Sequence, residues 1–221
     1  MTNTPLLVHR PRVALLAAAL PLALGAAVVD NVRIRRQLHA ARRDPLTGLA
    51  LRPELTARGE KLAARPGTVA LFVDANGFKA INDTHGHDAG NAVLAALAQR
   101  LSRWCRTHRG LAARLGGDEF AAVAHLPATS GGLDRALAGL QQVLERPVLY
   151  EQRLLPASVA IGAAPVSAMP GSSWSLALRA ADTAMYRAKR DRSGPRVGTA
   201  ADALAEASNG RRPGRPGTAG R

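Results

Sequence analysis

A chain of 221 residues with a single cysteine, Cys105, can form neither an intramolecular disulfide framework nor a cysteine-based zinc site. Aromatic residues supply only 3% of it, and Ala, Leu and Val dominate the 47% hydrophobic share, which points to a helix-rich fold with a modest core. The net charge of +14 would suit a nucleic-acid partner, but much of the excess lies towards the two ends and no helix-turn-helix, zinc or RNA-recognition pattern accompanies it, so none is expected.

Residues 1–12 read as a short basic N-terminus. Residues 13–29, VALLAAALPLALGAAVV, carry no charged side chain. Seventeen residues at about 1.5 Å each span about 25 Å, the short end of the range for a transmembrane helix. Pro21 and Gly25 are tolerable in such a helix. A signal peptide with ALGA near its cut and a buried helix are the other readings; a membrane anchor is the favoured one. Five arginines follow within fifteen residues, against two before. That asymmetry predicts a single pass in the inner (cytoplasmic) membrane with the globular part in the cytoplasm. Residues 30–43 read as a short linker helix.

The globular part is expected over 44–197. TVALFVD (68–74) predicts a buried strand, and residues 89–105 an amphipathic helix. Residues 111–125 predict a hairpin, with a helix following around 132–145. ASVAIGAA (157–164) predicts a strand and residues 175–190 a last helix. Alternating strands and helices with one tight hairpin predict an α/β (α+β) fold, helices packed on a mixed sheet. The tail 198–221, rich in Gly, Pro and Arg, has little to bury and is expected to be disordered.

Three local patterns carry chemistry. Arg114-Leu-Gly-Gly-Asp-Glu-Phe120 is the signature of a hairpin turn, and its adjacent acids either decorate that turn or hold something positive. Asp74 ends a predicted strand, where sites in α/β proteins tend to form. Between Phe78 and Leu94, Lys79, Asn82, Asp83, His85, His87, Asp88 and Asn91 crowd together before a helix, with Asp88 a candidate cap. Glycines, amides and a lysine at a helix start suit an anionic ligand. Two carboxylates meeting across neighbouring strands, with phosphates completing the shell, would suit magnesium and phosphoryl or nucleotidyl transfer.

Asp44-Pro-Leu-Thr-Gly-Leu49, the run Asp74 to Asn91, Gly116-Gly-Asp-Glu-Phe120 and AADTAMYRAK (180–189) together resemble the GGDEF domains, the diguanylate cyclases that join two GTP molecules into cyclic di-GMP. The likeness covers about residues 41–197 and implies a nucleotidyl-cyclase or polymerase-palm-like mixed sheet flanked by helices. It implies that Asp74, Asp118 and the carbonyl of Ala75 bind magnesium or manganese, and that Glu119 with Asp118 activates the ribose 3′-hydroxyl. It further implies that Gly116 and Gly117 give the triphosphate clearance, that Lys79 and Lys189 contact phosphates, and that Asn82 reads the guanine edge. Phe120 is expected to anchor the turn in the core and His87 to be structural. Two such domains face each other for the reaction, which implies a homodimer.

The sequence departs from the family pattern in four places. Asn91 stands where the family usually has an Asp that accepts hydrogen bonds from guanine, and an amide keeps an acceptor but loses the charge. Asn76 stands where a second Asp is common. Arg192 lies one position away from the usual phosphate-binding arginine. Residues 106–110, RTHRG, lack the acid of the inhibitory Arg-x-x-Asp site, so no inhibitory product site is expected. These departures leave open a GTP-binding regulatory module without turnover, or a cyclase of relaxed purine specificity.

Overall fold

The computed structural model describes Asp30, residues 43–126 and residues 131–204. The N-terminus 1–12, the apolar run 13–29, nearly all of the linker and the tail from 205 lie outside the described residues.

The apolar stretch TVALFVDA forms β1 (Thr68–Ala75), every residue of which is buried. A strand buried on both faces needs cover on both, and strand parity sorts its side chains. Val69, Leu71, Val73 and Ala75 enter one core, whereas Ala70 and Phe72 enter a second. β2 (Leu111–Gly116) and β3 (Glu119–His125) make the hairpin, and β3 and β6 (Val159–Pro165) flank β1 antiparallel. β7 (Arg196–Val197) adds parallel to β6, giving a five-stranded mixed sheet in the order β2-β3-β1-β6-β7.

Helices α1 (Arg52–Leu62) and α5 (Trp174–Asp191) cover the Phe72 face of the sheet. Helices α3 (His87–Thr107) and α4 (Gly132–Leu144) cover the Leu71 face. In α3 the buried residues Val93, Leu94, Leu97, Ala98, Leu101 and Cys105 recur at the three- and four-residue spacing of one helix stripe. Each tryptophan serves a different layer: Trp174 is buried in the Phe72 core, and Trp104 packs half-buried against the Leu71 core. The Arg100 guanidinium donates to the carbonyls of Leu144 (2.8 Å), Arg146 and Pro147 (2.9 Å), satisfying acceptors where α4 ends. The scarcity of aromatics is met by close approach. α5 presents Ala177, Ala181, Ala184 and Ala188, and opposite them a Cβ added to Gly162 of β6 would strike the Ala181 carbonyl and the Met185 amide.

The mixed sheet flanked by helices matches the expected fold class, with three corrections. First, among the described residues no helix is long and apolar enough to cross a membrane, so the expected single-pass location in the inner membrane is not sustained. The longest of them, α3, has the length at 21 residues but carries Asp88, Arg100, Arg103 and Arg106, charges that a hydrocarbon interior penalises. Second, the crowded residues do not all precede the helix: His87, Asp88 and Asn91 lie within α3 itself. Phe78–His85 forms its own helix, α2, and Gly86 (φ 85°) occupies the N-cap of α3 in place of Asp88, which lies in the first turn. Third, packing continues beyond residue 197: α6 (Ala200–Leu204) buries Asp202 and Ala203. A two-stranded hairpin, β4 (Val148–Tyr150) with β5 (Arg153–Leu155), lies apart from the main sheet, and two short 3-10 turns, Val166–Ala168 and Pro170–Ser172, lead from β6 to α5.

Gly162→Ala is expected to cost about 1–3 kcal/mol because the methyl has backbone on its far side. Gly139→Ala, inside α4 with nothing within 4 Å of the new Cβ, is expected to be neutral or stabilising by up to about 1 kcal/mol. Urea midpoints for the two variants check the contrast, and equal destabilisation would contradict it.

Candidate active site

Asp74 falls on the same parity as Ala70 and Phe72, so its side chain belongs to the face that α5 covers. It is the one acidic residue of β1, next to the strand's last residue, and pairs in register with Glu119 of β3. The carboxylate is 2% exposed, and its compensating charge is Lys189 near the end of α5, with Nζ 2.5 Å from Oδ1. Burial is the main influence on this carboxyl and raises its pKa. Lys189 opposes the rise, the nearby charges of Asp118 and Glu119 add to it, and the net direction is upward from the ordinary value of 3.8.

The hairpin brings the other two acids. Its register shifts between Arg114 and Gly116, and Gly116 (φ 150°) and Gly117 (φ 51°) adopt backbone angles that a side chain disfavours. Neither would meet an atom within 4 Å if a Cβ were added, so the space beside the tip is open. The Ala75 amide donates to the Asp118 carbonyl at 3.2 Å, which ties the turn to the end of β1. Phe120 is 1% exposed and anchors the turn in the Leu71 core, as expected.

A brace behind this turn went unread in the sequence. Arg114 donates through Nε and Nη2 to the Gly117 carbonyl (3.0 and 2.6 Å) and through Nη1 to the Asp44 carboxylate (3.0 Å). Asp44 in turn accepts from the Thr47 amide (2.8 Å) and hydroxyl (2.6 Å) three residues on, and its ion pair with Arg114 ties the Asp-Pro-Leu-Thr-Gly turn to the hairpin. Burial alone would raise the Asp44 carboxyl, but hydrogen bonds from Thr47 and Arg114 outweigh it and hold it below 3.8. The readable signals were the Asp-x-x-Thr spacing and an arginine two residues ahead of Gly-Gly.

The remaining candidates stand on helices. Lys79 is exposed in the first turn of α2, where Gly77 (φ 66°) has turned the chain out of β1. Asn82 lies over Gly90 of α3, its Oδ1 buried without a hydrogen-bond partner, and a Cβ on Gly90 would collide with it. Asn91 is exposed in the second turn of α3, and His87 is exposed at its start. The Asn76 amide side chain donates to Ser158 Oγ at 3.2 Å. A cleft of about 610 Å³ is lined by Asn76, Gly77, Glu145, Lys189 and Arg192 among others, and Lys189 links it to Asp74, although none of the three acids lines it. Arg192 thus shares a cleft with Lys189 despite its shifted position.

Among the described residues no three Asp, Glu, His or Cys side chains are already gathered as a metal cage. The donor set nonetheless fits a hard divalent ion. A desolvated carboxylate facing two further acids is countered by one lysine whose side chain is 41% exposed, and magnesium typically takes one or two carboxylates plus phosphate oxygens and water.

Residues 41–194 match the family model for the diguanylate cyclase GGDEF domain. The chain therefore belongs to the GGDEF family and, with it, to the nucleotidyltransferases. It is 47% identical over 183 residues to an uncharacterised 19.3 kDa protein of Streptomyces ambofaciens, covering 81% of this chain and 95% of that one. It is 35% identical over 161 residues to diguanylate cyclase DgcN of Escherichia coli, spanning 71% of this chain but 39% of DgcN. Among solved structures, the isolated GGDEF domain of TpbB (YfiN) from Pseudomonas aeruginosa superposes with a TM-score of 0.62 at 32% identity, covering 72% of this chain and 96% of that one.

A raised folded-state pKa means that, between 3.8 and the raised value, the native chain holds a proton on Asp74 that the unfolded chain has released. Stability then falls as pH rises from 3.8 through the raised value, and the full cost persists above it. Asp74→Asn is accordingly expected to raise Tm at pH 7 in metal- and nucleotide-free protein, the gain shrinking as pH is lowered towards that range. Calorimetry across pH tests this; a variant less stable than the parent at pH 7 would count against it.

Proposed function

We propose that this chain is a diguanylate cyclase that condenses two GTP molecules into cyclic di-GMP and pyrophosphate. The observation that carries the reading is the desolvated Asp74 at the end of β1, opposite Glu119 and beside the turn that bears Asp118. A structural role alone does not require three acids at one sheet end, since each raises the cost of the buried charge.

Each of the two steps forms one bond, from a ribose 3′-oxygen to an α-phosphorus, and breaks one, between that phosphorus and the departing pyrophosphate. Glu119, next to Asp118, takes the proton of the 3′-hydroxyl. Asp74, Asp118 and the Ala75 carbonyl would hold magnesium or manganese, which when bound offsets phosphate charge and favours attack by an oxygen nucleophile. Lys189 passes from Asp74 to phosphate oxygens, and Lys79 at the start of α2 binds them as well. Gly116 and Gly117 keep side chains away from the triphosphate. Asn82 and Asn91 contact the guanine edge. One GTP per domain makes the reaction the work of two domains face to face, hence a homodimer during turnover.

A neutral amide at position 91 supports relaxed purine selectivity within the same reading. Charge-assisted hydrogen bonds are roughly twice as strong as neutral ones.

Incubating the purified full chain with magnesium and GTP, ATP or both, and separating the products, tests the proposal. Cyclic di-GMP is the expected product, and Asp118→Ala is expected to cut turnover at least about 100-fold with an unchanged circular dichroism spectrum. GTP binding without product would favour a regulatory module instead. Asn91→Asp is expected to increase the preference for GTP over ATP by about tenfold, or roughly 1.4 kcal/mol, measured as a ratio of kcat/KM values.

A further inference from the structure

The family match ends at residue 194, yet the ordered fold continues to Leu204. That extension closes over a single stripe of α5. Gly198 donates to the Ala163 carbonyl at 2.7 Å and lies so close to α5 that an added Cβ would strike the Ala180 carbonyl. The Thr183 hydroxyl donates to the Asp202 carbonyl at 3.2 Å. The Arg187 guanidinium grips the Asp202 carboxylate with both terminal nitrogens, at 2.7 Å to Oδ1 and 2.8 Å to Oδ2. Residues 180, 183 and 187 follow one face of the helix.

Asp202 is well suited to hold that grip. It is 8% exposed and also accepts from the Thr199 amide (2.7 Å) and hydroxyl (3.0 Å), so it caps α6 while it binds α5. Arg187 stands two residues before Lys189, about 200° around the helix from it. The last turn of α5 is therefore held on one side by Asp202 and on the other by the Lys189–Asp74 pair. Arg196 adds a strut, reaching Asp191 at 3.3 Å and Ser193 at 3.0 Å.

We propose that Arg187 and Asp202 form a positioning pair through which the segment 196–204 fixes the last turn of α5, and with it Lys189, for phosphate binding. The proposal rests on the reading of Lys189 as a phosphate ligand. Neither residue of the pair touches the nucleotide; their effect passes through the helix. A displacement of about 1 Å at a reacting group is enough to cost up to about 100-fold in rate.

The test uses the full chain. Asp202→Asn keeps the shape and removes the charge, whereas Asp202→Glu keeps the charge and the type of side chain that caps helices from this position. Asp202→Asn is expected to raise the KM for GTP about tenfold with a smaller change in kcat, at a temperature well below its Tm, and to weaken binding of a non-hydrolysable GTP analogue to the same degree. Asp202→Glu is expected to restore most of the loss. If Asp202→Asn does not fold, Thr183→Val removes a single bond to the same segment and is expected to raise KM about two- to fivefold. A lowered Tm with unchanged KM and analogue affinity would overturn the positioning role. Lys189→Ala separates the two readings. If it impairs GTP binding while the Asp202 and Thr183 variants do not, the pair alone is refuted; if it has no effect, the reading of Lys189 falls and takes the proposal with it.

Discussion

A carboxylate 2% exposed to solvent at the end of a central strand is a constraint that the surrounding structure must answer. Ionised and unpaired, it would not survive burial. The answer is Lys189, delivered by the last turn of α5. To bring that lysine to Asp74 the helix must lie close on the sheet, which its alanines and Gly162 allow. The alanine-rich composition and the buried charge are thus parts of one arrangement. The compensation is also partial, since Asp118 and Glu119 push against the charge that Lys189 supports. A site left short of positive charge in this way is prepared for a cation and for the phosphates that accompany it.

The hairpin is held with similar care from behind. Its glycines give the tip a conformation that few residues adopt, and Arg114 keeps it there by binding the Gly117 carbonyl and Asp44 together. The Asp-Pro-Leu-Thr-Gly run, which reads as a family signature, does its physical work as a turn, closed by Thr47 on Asp44, that supports that arginine. The glycines let the tip adopt that conformation without strain, and the rigidity comes from the brace behind it.

How much of this was readable depended on whether a feature is local. The central strand was evident in TVALFVD because burial on both faces leaves a continuous apolar run. The hairpin was evident because Gly-Gly demands one. The meeting of Asp74 with Glu119 followed once the two strands were taken as neighbours. Helix α2 was missed because Asn82, Asp83 and Thr84 are poor helix formers, and packing against α3 overrides their preference. The Lys189–Asp74 and Arg114–Asp44 pairs join residues 115 and 70 positions apart; local spacing marks Asp44 and Arg114 as parts of their own turns but does not announce that they are partners. The order beyond residue 197 was missed for another reason. The tail's Gly, Pro and Arg suggested a chain with little to bury, but Gly198 and Ala203 are valuable because they are small enough to lie against α5.

The separation of the two tryptophans between the two layers has a spectroscopic consequence. The chain contains two in all, Trp174 enclosed beneath Gly59 on the Phe72 side and Trp104 stacked on the imidazole of His108 with ring centroids 4.0 Å apart on the other. Their surroundings differ enough that each should emit at its own wavelength and respond to its own half of the molecule. Intrinsic fluorescence can therefore follow the loosening of either helical layer independently, and can tell whether the sheet lets go of both at once.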